Sequence, residues 1–327
     1  MNKTERFLSC DWGTSSFRLR LVEVDGFKTI AQESSKEGSS ATFERWNQAG
    51  QPEENRFNFY LSVIRDNLKK LEQQINASLD DVPILISGMA TSSIGMLELP
   101  YKEFPFSIDG SDLQTKTIPA RPDLRHRIML ISGAKTDDDV MRGEEVQLVG
   151  SGLSLTDEDQ LFLHPGTHSK HVIVKNGQAV SFKTFMTGEF FSLLSSKSIL
   201  AASVKSGGKI IDGKNLRAFE TGVEKGFNSH VLHEAFMIRT NDLMEKMSKE
   251  QNWFYLSGLL IGEELKAFPE TFSGNTILAG EHVLTDLYSK ALNFLGITHK
   301  MSSLQIKAAD EITLKGQFLV FSKVEKF

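Results

Sequence analysis

The sequence predicts an α/β protein of two lobes, and three observations carry that expectation. A strand, turn and strand phrase occurs twice. In the first copy Phe7 to Cys10 leads into Asp11-Trp12-Gly13-Thr14-Ser15-Ser16, then the alternating stretch Phe17 to Val24, closed by Asp25-Gly26. In the second, Leu161 to Leu163 leads into His164-Pro165-Gly166-Thr167-His168-Ser169-Lys170, then His171 to Val174, the Asn176-Gly177 turn and a third strand, Ala179 to Phe185. A unit repeated about 150 residues apart suggests two related lobes. Both halves also mix short apolar runs with helical spacing. Finally, 327 residues are long for one core and comfortable for two lobes.

After the first three strands a polar, Ser-rich connection spans Ser34 to Ser40. A helix is expected from about Glu53 to Ile75, because Phe57, Tyr60, Leu61, Ile64, Leu68 and Leu71 recur at threes and fours. Pro83 to Ile86 reads as a short buried strand delivering Ser87-Gly88-Met89-Ala90-Thr91-Ser92-Ser93-Ile94-Gly95, the kind of strand end where α/β proteins place ligands. Leu99 to Pro105 reads as an irregular loop. Another strand, Arg127 to Ser132, empties into a polar loop ending in Asp137-Asp138-Asp139, taken as the approach to the second lobe. The expected lobes are therefore residues 1–139 and 140–327, with a last helix at about 310–325 that could pack back on the N-terminal lobe.

In the second half a helix is expected to begin near Gly143. Thr187 is a candidate N-cap for a helix through Leu200. Residues 201–250 read as largely helical, with a break at Ser206-Gly207-Gly208. Tyr255 to Leu265 reads as an apolar helix whose Gly258 and Gly262 allow close approach by a neighbour or a flat ligand. Thr276 to Ala279 is a strand broken by Gly280, followed by a helix from Val283 to Phe294.

Composition limits the partners. The net charge is -5, and no Lys/Arg-rich tract offsets it, which argues against nucleic acid. No run approaches the roughly 18 apolar residues of a membrane span. The single cysteine, Cys10, excludes an intramolecular disulfide, and the polar stretch before it lacks the apolar segment that a lipoprotein cleavage site needs. The expectation is a cytoplasmic protein, with a homodimer left open as its assembly.

Two turns with glycine and small hydroxyls suit the phosphate chain of a nucleotide. Glycine lets the backbone approach oxygen closely, and Thr and Ser add donors without bulk. Asp11, ending the first strand, is placed to hold Mg²⁺ directly or through water. No Walker A pattern occurs, since Gly207-Gly208-Lys209-Ile210 lacks the spacing and the hydroxyl. Pro165-Gly166 breaks any helix that would gather His164, His168 and His171 around a metal. Glu144-Glu145 opens a helix about 20 residues before the second turn, where a carboxylate could accept the proton of an attacking hydroxyl. The plainer alternative is an acid favouring the helix dipole. Arg142 could pair with a substrate carboxylate or a phosphate, or serve as a surface partner.

These phrases, with Val140 to Leu148, Phe185-Met186-Thr187-Gly188-Glu189 and Leu256 to Gly262, resemble the 2-dehydro-3-deoxygalactonokinases from Asp11 to about Gly316. The resemblance implies a two-lobe actin-like ATPase (ribonuclease H-like) fold of the actin, Hsp70 and hexokinase superfamily. Each lobe would hold a mixed sheet flanked by helices, with a nucleotide cleft between the lobes. It implies ATP-dependent phosphorylation of the 6-hydroxyl of 2-dehydro-3-deoxy-D-galactonate, in galactonate breakdown. Under it Asp11 organises Mg²⁺, while Gly13, Thr14, Ser15, Ser16 and Arg18, with Gly166, Thr167, His168, Ser169 and Lys170, clasp the phosphates. Glu144 is the implied base, with Glu145 second; Ser87, Gly88, Met89, Thr91, Ser92, Gly95 and Arg142 face the sugar acid. Gly280-Glu281 resembles the adenosine turn, with Ser257-Gly258 beside it. Ser16 stands where Asn is common, His171 where Trp is usual, and the loop at 137–139 is unusually acidic. The alternatives are a same-fold kinase for another sugar acid such as 2-dehydro-3-deoxygluconate, a non-catalytic actin-like nucleotide switch, and a phosphatase of this fold.

Overall fold

The computed structural model describes residues 5–122 and 124–324, which form two compact units. The first holds the chain up to Asp157, the segment Val174–Ser181 and the chain from Ala309 onward; the second holds Glu158–Ile173 and Phe182–Ala308.

The first unit begins with a meander of β1 (Arg6–Trp12), β2 (Phe17–Glu23) and β3 (Lys28–Ser35), in which each strand is antiparallel to the one before. Two helices follow, α1 (Ser39–Gln48) and α2 (Arg56–Ile75). Then come β4 (Ile84–Gly88), β5 (Lys102–Glu103), β6 (Phe106–Ser107), β7 (Thr115–Ile118), β8 (Ile128–Ile131), β9 (Ala134–Lys135), β10 (Val140–Met141) and α3 (Glu144–Gly150). The main sheet has the order β3-β2-β1-β4-β8-β7, with β4 parallel to both β1 and β8. The apolar stripe expected on α2 is real: Tyr60, Leu61, Ile64, Leu68 and Leu71 are buried in one cluster with Leu8, Cys10, Leu19, Ile84 and Ile86.

The chain continues through β11 (Gln160–His164), β12 (Ser169–Lys175) and β13 (Gln178–Phe185); of these, Val174–Ser181, with the Asn176-Gly177 turn and its positive φ at both residues, groups with the first unit and the rest with the second. It continues with α4 (Thr187–Lys197), α5 (Gly213–Asn228), α6 (Val231–Leu243), α7 (Lys249–Leu265), β14 (Asn275–Gly280), α8 (His282–Phe294) and β15 (Ser303–Ala308). These strands run in the order β15-β14-β11-β12-β13, with β14 parallel to β11 and β15. Counted in chain order from β1 and from β11, both sheets place the first strand between the second and the fourth. The repeated phrase is thus the opening of a repeated topology.

Several elements depart from the sequence expectation. Helix α1 was not anticipated; its Thr42 and Trp46 are buried, but Ser-Ser-Ala-Thr-Phe-Glu-Arg-Trp-Asn-Gln has too little apolar periodicity to announce itself. Strand β15 was missed because it is largely exposed and polar, with Gln305 and Lys307 along it. The expected loop Leu99 to Pro105 contains β5 and a cis Phe104–Pro105 bond. Thr187 is not an N-cap: Met186 takes that place and the Thr187 hydroxyl donates to Glu264. Helix α7 starts six residues before Tyr255, at Lys249, under a capping box of Ser248 and Gln251. The sheet of three short strands, β10-β9-β5, was also unforeseen.

The last helix, α9 (Ala309–Val324), belongs to the first unit and packs on α3. The two backbones nearly touch. A Cβ on Gly316 would lie 1.8 Å from the Val146 carbonyl oxygen, and one on Gly150 would lie 1.8 Å from that of Ile312. This packing groups residues 140–157 with the first unit, so the compact boundary falls at Asp157 and not at the expected 139/140. In the second unit α5 and α7 meet the same way: a Cβ on Gly258 would lie 2.1 Å from the Phe219 carbonyl oxygen, and one on Gly222 would lie 2.2 Å from that of Tyr255.

Gly316→Ala is expected to lower stability by about 1–3 kcal/mol, the usual cost of overpacking, because carbonyl oxygen cannot move aside as a flexible side chain can. Thermal denaturation beside Gly213→Ala checks this, since a Cβ at Gly213 meets only the Arg217 guanidinium at 3.6 Å. Equal melting temperatures for the two variants would contradict the packing account.

Candidate active site

In the first unit β1 and β4 run parallel, pairing Asp11 with Ser87 and Trp12 with Gly88 at their ends. Gly88 has φ 87°, and a Cβ there would lie 2.8 Å from the Trp12 carbonyl oxygen. Gly143 has φ 117°, and a Cβ on it would lie 3.5 Å from the Gly88 Cα. Both are backbone states open to glycine. Together they bring the start of α3 to the end of β1, which puts Glu144 within electrostatic reach of Asp11.

The first turn is exposed at Thr14, Ser15 and Ser16 and is braced from behind. Gly13 N–H donates to the Ser16 carbonyl at 2.9 Å, while Ser39 N–H and Ser40 N–H donate to the carbonyls of Gly13 at 2.9 Å and Thr14 at 3.1 Å. Trp12 Nε1 donates to the Glu37 carbonyl at 3.1 Å. The unforeseen helix α1 therefore has a purpose: its first turn ties down the hydroxyl-bearing turn.

The acids of this site differ in environment. Burial raises the Asp11 pKa most strongly; the Arg18 and Arg20 cations oppose that rise, and the Asp310 and Glu144 charges add to it. Arg18, expected on the nucleotide, is ion-paired with Asp310 at the start of α9, and Arg20 Nη2 lies 2.7 Å from the same carboxylate. Glu144 is partly exposed and accepts from Arg142 N–H at 3.0 Å. Glu145 is fully buried and accepts from Gly143 N–H at 2.7 Å, while its Oε1 is buried without a hydrogen-bond partner. Burial, then the Glu144 charge, pushes its pKa up to about 8.

Arg142 is turned onto the loop after β4. Its Nη1 donates to the Thr91 carbonyl at 2.5 Å and hydroxyl at 2.7 Å, and its guanidinium lies 4.0 Å over the Tyr101 ring. Ser87, Thr91 and Ser92 are buried, with their hydroxyls on Gln317, on the Gly88 and Ile131 carbonyls and on the Met89 carbonyl, respectively. Gly95 is buried against the Ala90 and Met89 carbonyls. These four shape the loop from inside; Met89 is its half-exposed member among the expected substrate contacts.

In the second unit Thr167 and His168 form the exposed tip of the second turn. The Thr167 carbonyl accepts from Glu189 N–H at 3.1 Å, and the His168 carbonyl accepts from Lys170 Nζ at 3.0 Å. Lys170 is 3% exposed, so it supports the turn from within and does not extend from it as expected. His168 Nε2 lies 2.5 Å from Glu189 Oε2. A Cβ on Gly188 would lie 2.5 Å from the Gly166 carbonyl oxygen, so the start of α4 is seated against the turn. A Cβ on Gly166, by contrast, would meet nothing within 4 Å, so that side of the turn is open. Gly280 is buried beside it, 3.3 Å from the Pro165 carbonyl oxygen by the same measure, with Glu281 exposed at the start of α8. Gly258 is corrected: its face is filled by α5, leaving no room for a nucleotide, whereas Ser257 is half-buried.

The sequence matches the family described as 2-keto-3-deoxy-galactonokinase over residues 11–319. The chain belongs to that family. This kinase is 30% identical over 300 residues to a probable 2-dehydro-3-deoxygalactonokinase of Rhizobium meliloti (strain 1021), covering 89% of this chain and 90% of the relative. It is 28% identical over 308 residues to the 2-dehydro-3-deoxygalactonokinase of Escherichia coli (strain K12), covering 90% of this chain and 91% of that one. Its fold is shared with a crystal structure of a candidate 2-dehydro-3-deoxygalactonokinase from Sinorhizobium meliloti, at TM-score 0.77 and 26% identity, covering 98% of this chain and 100% of that one. The kinase is a phosphotransferase with an alcohol acceptor, acts on a sugar acid with ATP and has the mixed α/β fold of that solved structure.

Sequence reasoning missed Asp310, Arg20, Gln317, Glu264 and Tyr288. Arg20 sits in an alternating strand, and Gln317, Glu264 and Tyr288 sit in apolar helices. A polar residue inside an apolar pattern is the signal that was available.

Glu145 makes a pH prediction. Its folded pKa of about 8 lies above the ordinary value of 4.5, so the folded state holds the proton more tightly than the unfolded chain. Its contribution to stability is fully present below the ordinary value and is lost as pH rises toward about 8. Stability relative to Glu145→Gln should therefore fall between those two values, as measured by denaturant unfolding across the range. A difference independent of pH would show that Glu145 is not held protonated.

Proposed function

We propose that this kinase transfers the γ-phosphoryl of ATP to the 6-hydroxyl of 2-dehydro-3-deoxy-D-galactonate, in galactonate catabolism, with Glu144 as the base. The observation that carries the role of Glu144 is its position: partly exposed at the start of α3, and close enough to Asp11 to raise that residue's pKa. Glu145 is buried, holds Gly143 N–H and keeps its proton, so it shapes the site while Glu144 does the proton transfer. Burial sets the Glu145 carboxyl apart from its partly exposed neighbour, and such a difference in environment makes a division of labour. The second carboxyl of the pair thereby moves from candidate base to support.

The donor set near Asp11 fits a divalent cation. Burial raises the Asp11 pKa first, Arg18 and Arg20 oppose it, and the Asp310 and Glu144 charges add to the rise, so a hard cation would favour the ionised carboxylate through its oxygen ligands. Among the described residues no group of three His, Cys, Asp or Glu forms a ready metal cage. Mg²⁺ is commonly held by one or two carboxylates together with phosphate and water, so Asp11 suffices as its protein ligand. When bound, Mg²⁺ would neutralise charge on the transferred phosphoryl group.

The exposed hydroxyls at Thr14, Ser15, Ser16 and Thr167 are the proposed phosphate donors, with backbone N–H groups of both turns. At the second turn the carbonyls of Thr167 and His168 are already satisfied by protein donors, which spares a phosphate their repulsion. Arg142 and Met89 mark the sugar-acid side, and the Gly280-Glu281 turn marks the adenosine side. The reading carries a cytoplasmic location and a homodimer. The dimer's support is an apolar groove of about 610 Å³ on the second unit, rimmed by exposed Phe190, Ile199, Leu232 and Phe236. Sedimentation velocity checks it.

ATP-dependent phosphorylation should be strongest for 2-dehydro-3-deoxygalactonate in a panel of sugar acids, because an epimer leaves a buried partner unpaired. Glu144→Gln should lower kcat by about 10²–10⁴-fold with little change in either KM, the usual size of general-base catalysis. Unchanged turnover would remove Glu144 from the role. Asp11→Asn should raise the Mg²⁺ concentration needed for half-maximal rate; an unchanged requirement would place the cation elsewhere.

A further inference from the structure

One buried carboxylate in the second unit stands apart from the proton-transfer chemistry. Glu264, near the end of α7, is 3% exposed and holds three partners from three elements. His171 Nε2 of β12 lies 2.8 Å from its Oε1, Tyr288 of α8 donates to its Oε2 at 2.5 Å, and the Thr187 hydroxyl of α4 donates to the same Oε2. Tyr288 in turn lies 3.1 Å from Ser169 Oγ, and Ser169 Oγ accepts from Gly166 N–H at 3.4 Å. Tyr288 has one proton and gives it to Glu264, so Ser169 is the donor to Tyr288. The result is a directed chain, Gly166 to Ser169 to Tyr288 to Glu264, in which each donor is polarised by the next and the carboxylate is the sink. Burial first, then the Glu264 charge, raises the Tyr288 pKa well above its ordinary value, which keeps the phenol a donor throughout the working range.

The other arm reaches the turn through α4. Thr187 fastens the start of that helix to Glu264, and the next two residues sit on the turn: Gly188 against Gly166, and Glu189 N–H on the Thr167 carbonyl. The turn from Gly166 to Lys170 is thus gripped from two sides by one carboxylate.

We infer that Glu264 is a positioning residue for the Gly166–Lys170 turn, fixing the donors that meet the phosphates of ATP through Tyr288–Ser169 on one side and Thr187 on the other. The inference rests on the reading of that turn as phosphate-binding. Glu264 touches no substrate, so its effect must pass to nucleotide affinity and alignment while sugar-acid affinity stays as it is.

Steady-state kinetics of the full chain with both substrates varied, alongside titration with a non-hydrolysable ATP analogue, tests it on four variants. Glu264→Ala should raise KM for ATP by about ten- to hundredfold, the effect of losing one charge-assisted hydrogen bond, with KM for the sugar acid within about twofold. Glu264→Gln keeps an acceptor for Tyr288 and Thr187 and should recover most of that loss. Tyr288→Phe leaves Glu264 and the ring in place while cutting the link to Ser169, so it separates positioning from folding; it should fall between. Gly166→Val tests the turn itself, because its side chain enters space empty of protein but needed by an approaching phosphate. A raised KM for ATP in Gly166→Val beside an unchanged one in Tyr288→Phe, with Glu264→Ala altering both KM values alike, overturns the positioning role and leaves the turn's role standing. An unchanged KM for ATP in Gly166→Val overturns the reading of the turn, and the inference with it.

Discussion

The close approach of three backbone segments at Trp12, Gly88 and Gly143 is the constraint on which the first unit's chemistry depends. A Cβ on Gly88 would collide with the Trp12 carbonyl oxygen, and both glycines hold positive φ, a state that side chains disfavour. The consequence is positional. Asp11 ends one strand and Glu144 opens a helix more than a hundred residues later, and only this contact makes them neighbours. The same contact orders the loop after β4, because Arg142, adjacent to Gly143, reaches back to the Thr91 and Leu99 carbonyls. Gln317 of α9 completes the arrangement from beneath by donating to the Cys10 carbonyl and the Ser87 hydroxyl.

The two turns share a topology and differ in how they are held. The first is braced by backbone hydrogen bonds from the start of α1, which need no particular side chain. The second is held by side chains converging on Glu264, an arrangement in which removing one partner leaves others buried and unpaired. That contrast explains why the repeat is visible in sequence while its supports are not. The strand, turn and strand pattern is local and period-based, whereas Ser39 against Gly13, or Tyr288 against Ser169, joins positions far apart along the chain.

Legibility followed the same line. The elements with strong periodicity, such as α2, β4, β8, α8 and α9, were readable within a few residues. Those that failed were polar or edge elements, α1 and β15, whose place is decided by what they pack against. For the site, Asp11, the two turns and the Glu144-Glu145 pair were readable as residue types in a pattern. What was not readable was direction. Lys170 and Arg142 carry the charge expected of phosphate or carboxylate ligands, yet both are turned onto protein carbonyls. Gly258 has the smallness expected beneath a flat ligand, and that space is taken by α5. Charge and size are properties of a residue; orientation is a property of the fold.

The same distinction orders the adjacent acids of α3. Glu144 and Glu145 are identical in composition and one residue apart, so no local rule separates them. Burial does. Consecutive helical residues point about 100° apart, and here one side chain stays partly exposed within electrostatic reach of Asp11 while the other enters the first unit's interior. The buried carboxyl pays for desolvation by keeping its proton, and a neutral Glu145 adds no negative charge beside Glu144. In the proposed chemistry, Glu144 then has no charged carboxylate next to it in the helix when it accepts the proton of an alcohol. Under the proposed roles, the buried acid does no proton transfer itself and sets the electrostatics around its neighbour.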